Sequence, residues 1–200
     1  MTNHIKSAIK SAALIALAIP AFVSAQFSES YNFLKYVKDR DGAKATEIIS
    51  KPGSVIIDTR DQATGETGLH IVMKARDLAW VGLLLSRGAR PDIRDNSGNT
   101  PLMLAAQLSF IEGAQALIVK RALIDLPNNA GETPLIRAVQ LRNAAMVRLL
   151  LVEGANPNKT DSLAGLSARD YASRDRRAAA ILKIFDDVKP KKAQKAAGPS

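Results

Sequence analysis

The chain has 200 residues, enough for one well-buried domain, and its 46% hydrophobic content is ordinary for a globular protein. It holds no cysteine and only two histidines, which excludes a disulfide framework, a thiolate metal site and a histidine-cluster metal centre. The net charge of +9 belongs largely to the ends: Lys6 and Lys10 lie in the first 25 residues, and Lys189, Lys191, Lys192 and Lys195 in the last 12. Neither segment contains an acid, which leaves +3 for residues 26–188, so the charge does not point to a nucleic-acid partner.

Residues 1–25 read as a secretory signal. Lys6 and Lys10 supply a positive start, residues 12–23 form an uncharged apolar run, and Val23-Ser24-Ala25 places small residues before a cut at Gln26. The competing reading is a retained membrane anchor, but 12 residues interrupted by Pro20 are short against the roughly 20 that span a bilayer. The mature protein is therefore expected to be periplasmic or secreted, with cleavage near Ala25. Residues 26–60 follow with a two-helix pattern. Phe33, Leu34 and Val37 form one apolar stripe, and Ile48-Ile49 close a second helix before Pro52-Gly53.

Residues 61–94, 95–127 and 128–160 share one grammar. In the middle one, Gly98 suits a tight turn with positive φ, Thr100 a helix N-cap, and Pro101 the first helical position. Gly131-Glu132-Thr133-Pro134-Leu135 repeats it, and Gly65-Glu66-Thr67-Gly68-Leu69-His70 is a weaker copy. Residues 161–188 carry a worn one, Gly165-Leu166-Ser167-Ala168. The capping positions Thr67, Thr100, Thr133 and Ser167 are spaced by 33, 33 and 34 residues. A fixed period of that size marks an array of supersecondary units.

The second half of each unit keeps the step, at Leu84-Leu85, Leu117-Ile118 and Leu150-Leu151. Gly88 and Gly154 then read as left-handed helix C-caps, whereas Arg121 at the equivalent place predicts a strained or differently closed end. Inner helices are expected near Gly68–Lys74 and outer ones near Leu78–Ser86, with Trp80 serving packing. In residues 161–188 the second helix is expected over 178–185, with Ile181, Leu182 and Phe185 facing inward. Residues 189–200 hold no large apolar side chain and read as a flexible basic tail.

The pattern resembles the ankyrin repeat, whose signature is Asp-x-x-Gly-x-Thr-Pro-Leu-His, over roughly residues 30–185. The signal segment adds a resemblance to exported bacterial members. The resemblance implies an all-α ankyrin-repeat solenoid of about five helix-turn-helix repeats, with residues 26–60 and 161–188 as degenerate terminal caps. It also implies a structural role for His70, which would hydrogen-bond around the Thr of its own motif. Met103 and Ile136 stand at the equivalent positions of the next two repeats.

Catalysis finds no support in these residues. The one histidine after residue 25 is assigned to structure, no carboxylate pair has catalytic spacing, and no Gly-Lys-Ser/Thr phosphate loop occurs. Asp61, Asp95 and Asn128 read as turn-stabilising groups. No cofactor and no metal are expected. What remains is an interaction surface. The resemblance implies a concave face made of hairpin tips and the exposed side of each first helix. Tip positions fall at Glu66, at Asn96, Ser97 and Asn99, and at Asn129, Ala130 and Glu132. First-helix positions fall at Lys74 and Ala75, Gln107 and Leu108, and Gln140 and Leu141. Leu108 and Leu141 are apolar where water is expected and 33 residues apart. Either they form a paired spot that touches a partner, or a neighbouring loop covers them.

The expected function is a non-catalytic protein–protein interaction module, periplasmic or secreted, whose partner is another protein. One alternative is a regulatory or protective factor that docks on a periplasmic enzyme. Another is an envelope-surface binder that touches anionic groups through its basic tail.

Overall fold

The computed structural model describes residues 29–51 and 54–188. The expected secretory signal and basic tail lie outside the described residues. The chain divides into two compact units, one ending at Thr59 and one beginning at Arg60.

In the first unit residues 29–39 are helical (α1), followed by α2, Gly42–Ile49, and a short 3-10 turn, Ile56–Asp58. The stripe Phe33, Leu34 and Val37 is buried, as are Ala45 and Ile48 of α2. Asp41 caps α2 by accepting the Lys44 N–H at 3.1 Å. The same carboxylate pairs with the Lys44 ammonium, and that hydrogen bond holds its pKa below the usual value.

The second unit is a stack of helix pairs. They are α3 (Gly68–Lys74) with α4 (Leu78–Ser86), α5 (Pro101–Gln107) with α6 (Ile111–Val119), α7 (Pro134–Gln140) with α8 (Ala144–Val152), and α9 (Ala168–Arg174) with α10 (Ala179–Asp187). The first helices pack in the order α3, α5, α7, α9, and the second helices in the order α4, α6, α8, α10, so two helical layers enclose one core. Leu69, Leu102 and Leu135, 33 residues apart, are buried in the first layer; Leu84, Leu117 and Leu150 repeat this in the second. The predicted solenoid is therefore observed, and stability in such a stack comes from neighbour-to-neighbour contact.

Helix starts follow the predicted grammar. Thr100 and Thr133 are extended, and their hydroxyls accept the N–H of Met103 at 3.1 Å and of Ile136 at 3.2 Å, with Pro101 and Pro134 at the first turn. Ser167 and Asp170 cap α9 reciprocally, at 3.2 Å and 2.9 Å. In the first of these repeats Thr67 is capped by His70, which is fully buried. Its Nδ1 accepts the Thr67 N–H at 3.2 Å and lies 2.8 Å from the Thr67 hydroxyl, while Nε2 lies 3.0 Å from the Asn99 carbonyl. One neutral tautomer, protonated at Nε2, satisfies all three contacts. Burial lowers the His70 pKa, and the Asn99 bond only partly opposes that. The histidine is thus structural, and it also ties its repeat to the next.

Helix ends show where the expected pattern bends. Gly88 and Gly154 are left-handed, with φ of 91° and 96°. Arg121 adopts the same conformation, with φ of 62°. The closing bonds match as well: Ala89 to Leu84 at 3.0 Å, Ala122 to Leu117 at 3.1 Å and Ala155 to Leu150 at 2.9 Å. The Arg121 end is therefore strained but not differently closed. In the α9–α10 pair Leu182 is only half-buried, and Ile184 takes its expected place beside Ile181 and Phe185. The start of α10 at Ala179 turns the helix so that residues 181, 184 and 185 face the stack.

Candidate functional site

The hairpin tips of the second unit are built from side chains that satisfy their own turn. Asp61 accepts the N–H groups of Ala63 and Thr64, each at 3.0 Å. Asp95 accepts those of Ser97 and Asn99, and Asn128 those of Ala130 and Glu132. Each tip is then laced to its neighbour. Asn96 donates its amide to the Ala63 carbonyl and Asn129 to the Asn96 carbonyl, both at 2.9 Å. The guanidinium groups of Arg60 and Arg94 donate to the Asn96 and Asn129 side-chain oxygens at 3.3 Å and 3.2 Å. Asn96 and Asn129 are exposed, but both ends of each amide are used between repeats.

This lacing makes two glycines indispensable. A Cβ on Gly98 would lie 2.7 Å from the backbone nitrogen of Asn129, and one on Gly131 would lie 2.5 Å from that of Ser162. Both glycines are left-handed, so conformation and close approach require the same residue.

A groove of about 610 Å³ crosses these tips and the adjoining first helices. It gathers Asn96, Ser97, Asn99, Gln107, Asn129, Ala130 and Glu132 of the expected face. It also takes in Asn128, Arg137 and Leu163, which sequence reading missed. A signal existed for two of them. Arg137 occupies the helical position filled by Ile71 and Leu104 in the preceding repeats, and Leu163 is a large apolar residue at a tip where Ser97 and Ala130 are small. Leu163 is 82% exposed, which is costly for a leucine unless something covers it.

Glu132 must be withdrawn from the expected contact residues. It is buried, and its carboxylate accepts the Asn128 amide at 2.8 Å and the Arg137 guanidinium at 3.0 Å. A buried carboxylate needs such partners, so the groove wall consumes it. Arg137 also donates to Gln140 at 3.2 Å. These two charges, the only ones lining the groove among the described residues, neutralise each other. Gln107 donates to Asn99 at 3.4 Å.

The remaining expected residues lie outside the groove lining. Glu66 and Lys74 form an ion pair, with the Lys74 side chain half in water. Ala75 is exposed at the end of α3. Leu108 and Leu141 are exposed, at 36% and 47%, and no loop among the described residues covers them. Both stand at the C-caps of α5 and α7 rather than within the helices, at equivalent places on helices that pack together.

On the far side of the groove the fourth tip is held by Asp161, which is buried and accepts the Tyr171 hydroxyl at 2.5 Å and the Ala164 N–H at 2.7 Å. Burial works against its charge, but these donors outweigh it and its pKa is lowered. The same hydrogen bond raises the Tyr171 pKa.

The architecture defines a class: a helical-repeat solenoid whose exposed tips and first helices form a recognition surface. The family model described as ankyrin repeats (3 copies) matches residues 34–126 and 69–161, and the chain belongs to the ankyrin-repeat family. It is a protein–protein interaction module. Proteins of this family are generally non-catalytic, and their repeats bind other proteins. No helix among the described residues is long and apolar enough to cross a membrane.

Proposed function

We propose that this protein binds an extended, uncharged segment of a partner protein along the groove of its third to fifth repeats, and that it works without catalysis. The carrying observation is the groove's lining. Its two charges cancel internally, its remaining polar groups are amides and a hydroxyl, and the apolar Leu163 stands largely in water at its edge. Amides offer both a donor and an acceptor, which suits the backbone of an extended peptide. Leu163, with Leu108 and Leu141 on the adjoining helix ends, offers apolar anchors of the kind that dominate interface energies. Because the groove has no net charge, added salt should change affinity little. Of the expected contact residues, Ser97, Leu108 and Leu141 serve this reading best, because no side-chain hydrogen bond takes them up as such bonds take up Glu132, Asn96 and Asn129; Gln107 joins them, with one 3.4 Å bond to Asn99.

The reading includes export. The charged start, apolar run and small-residue site of residues 1–25 support a periplasmic or secreted protein cut before Gln26. N-terminal sequencing of the exported form that returned Met1 would refute cleavage.

Binding is tested by a photo-crosslinking residue placed at Gln107 or Leu141, with Arg148 on the exposed side of α8 as comparison. Adducts are expected from the first two positions. Equal adducts from Arg148 would refute the groove as the binding face.

A further inference from the structure

A second surface lies at the end of α6, away from the tips. The turn Val119-Lys120-Arg121-Ala122-Leu123 buries only Ala122. Val119 is 78% and Leu123 56% exposed, and Lys120 and Arg121 between them are exposed as well. The equivalent turns read Ser86-Arg87-Gly88-Ala89-Arg90 and Val152-Glu153-Gly154-Ala155-Asn156. Only this one pairs two exposed aliphatic side chains with two cations. It does so at a conformational cost, because Arg121 occupies the left-handed position that its sister repeats give to glycine.

The cations are not spent on the fold. Neither the Lys120 nor the Arg121 side chain has an ion-pair or hydrogen-bond partner among the described residues. The nearby acids are engaged by backbone N–H groups and not by these cations: Asp92 accepts the N–H of Leu123 in this turn at 2.8 Å, and Asp125 accepts the Asn156 N–H of the next at 3.1 Å. The four exposed side chains, unlike the turn's backbone, make no polar contact with the fold among the described residues.

We propose that the 119–123 turn is a docking point for an anionic lipid surface. Headgroup phosphates pair with Lys120 and Arg121, while Val119 and Leu123 enter the boundary between headgroups and acyl chains. Alternation of aliphatic and cationic side chains on one exposed turn matches the layering of a bilayer interface. An acidic protein partner would need the cations but would leave the two aliphatic side chains unexplained. The turn is independent of the groove, so the chain would hold its protein partner from one surface and its membrane from another.

The chain has no cysteine, so a single introduced one can be labelled uniquely. Val119→Cys and Leu163→Cys, both at highly exposed sites, are each labelled with an environment-sensitive dye in the full chain. They are then mixed with vesicles of phosphatidylcholine alone or with one-third phosphatidylglycerol. A blue shift is expected from position 119 only, and only with phosphatidylglycerol. In the 119-labelled chain, Lys120→Gln with Arg121→Gly should raise the lipid concentration for half-binding by ~25-fold, taking each cation as worth about fivefold. Glycine is the residue the sister turns carry, so this variant keeps the fold. Three results would overturn the proposal: no shift at 119, an equal shift at 163, or a shift that the double variant leaves unchanged. Loss of vesicle binding on deletion of residues 189–200, with position 119 remaining in water throughout, would assign the membrane contact to the tail and equally overturn it.

Discussion

Arg121→Gly should stabilise the protein. The residue sits at φ 62° and its side chain is exposed, so the substitution removes no contact within the fold. A left-handed non-glycine residue costs roughly 1–2 kcal/mol. Glycine returns part of this by enlarging the freedom of the unfolded chain, by about 0.4–1 kcal/mol. The net gain is about 0.5–1 kcal/mol, or roughly 1–4 °C in melting temperature for a domain of this size. Gly154→Ala is the mirror experiment. The site has φ 96° and nothing within 4 Å of an added Cβ, so the change isolates backbone conformation from sterics. It should lose about 1 kcal/mol. Both are read from urea melts followed by far-ultraviolet circular dichroism. A destabilised Arg121→Gly, beside a destabilised Gly154→Ala, would refute the argument that the two ends share one closure and differ only in strain.

Thr133→Ala should cost about 1 kcal/mol through loss of the α7 cap, while Thr160→Ala, exposed in the following loop, should cost much less; equal losses in denaturant melts would remove the capping argument. Gly131→Ala should be far worse than Gly154→Ala, because the added Cβ meets the Ser162 backbone at 2.5 Å as well as a left-handed φ; similar midpoints for the two would show that the tips are not in close contact. Leu108→Ser with Leu141→Ser should leave the melting temperature nearly unchanged and weaken partner capture, whereas early unfolding would make both leucines core. His70 is buried and its pKa is lowered from 6.5, so the unfolded chain takes up its proton first on acidification. Its contribution is complete above that value and falls as the pH drops below it. The stability lost between pH 7.5 and pH 5 should therefore shrink in His70→Gln, and an unchanged loss would refute the assignment.

Most of the architecture was legible in the residues because an ankyrin array is locally specified. Thr100-Pro101 and Thr133-Pro134 start helices through their own hydroxyls and ring, Gly88 and Gly154 end them, and a 33-residue step repeats the instruction. None of these needs a distant partner. The leucine periodicity likewise announced which faces are buried, because a helix has only one way to turn Leu102 and Ala105 inward together.

The surface was less legible, because a tip residue's availability depends on the neighbouring repeat. Asn96, Asn129 and Glu132 carry the same kinds of side chain in sequence as any solvated loop. Stacking brings the Ala63 carbonyl to Asn96 and the Arg94 guanidinium to Asn129, and the fold of its own repeat brings the Arg137 guanidinium to Glu132, so that their hydrogen bonds are spent. Stacking also collects Arg137 of one repeat and Leu163 of the next along a single groove. That the Arg121 end closes as its glycine sisters do was likewise settled by tertiary structure. The packing of α6 between α4 and α8 and the bond from Ala122 to Leu117 impose a backbone conformation that an arginine would not choose alone.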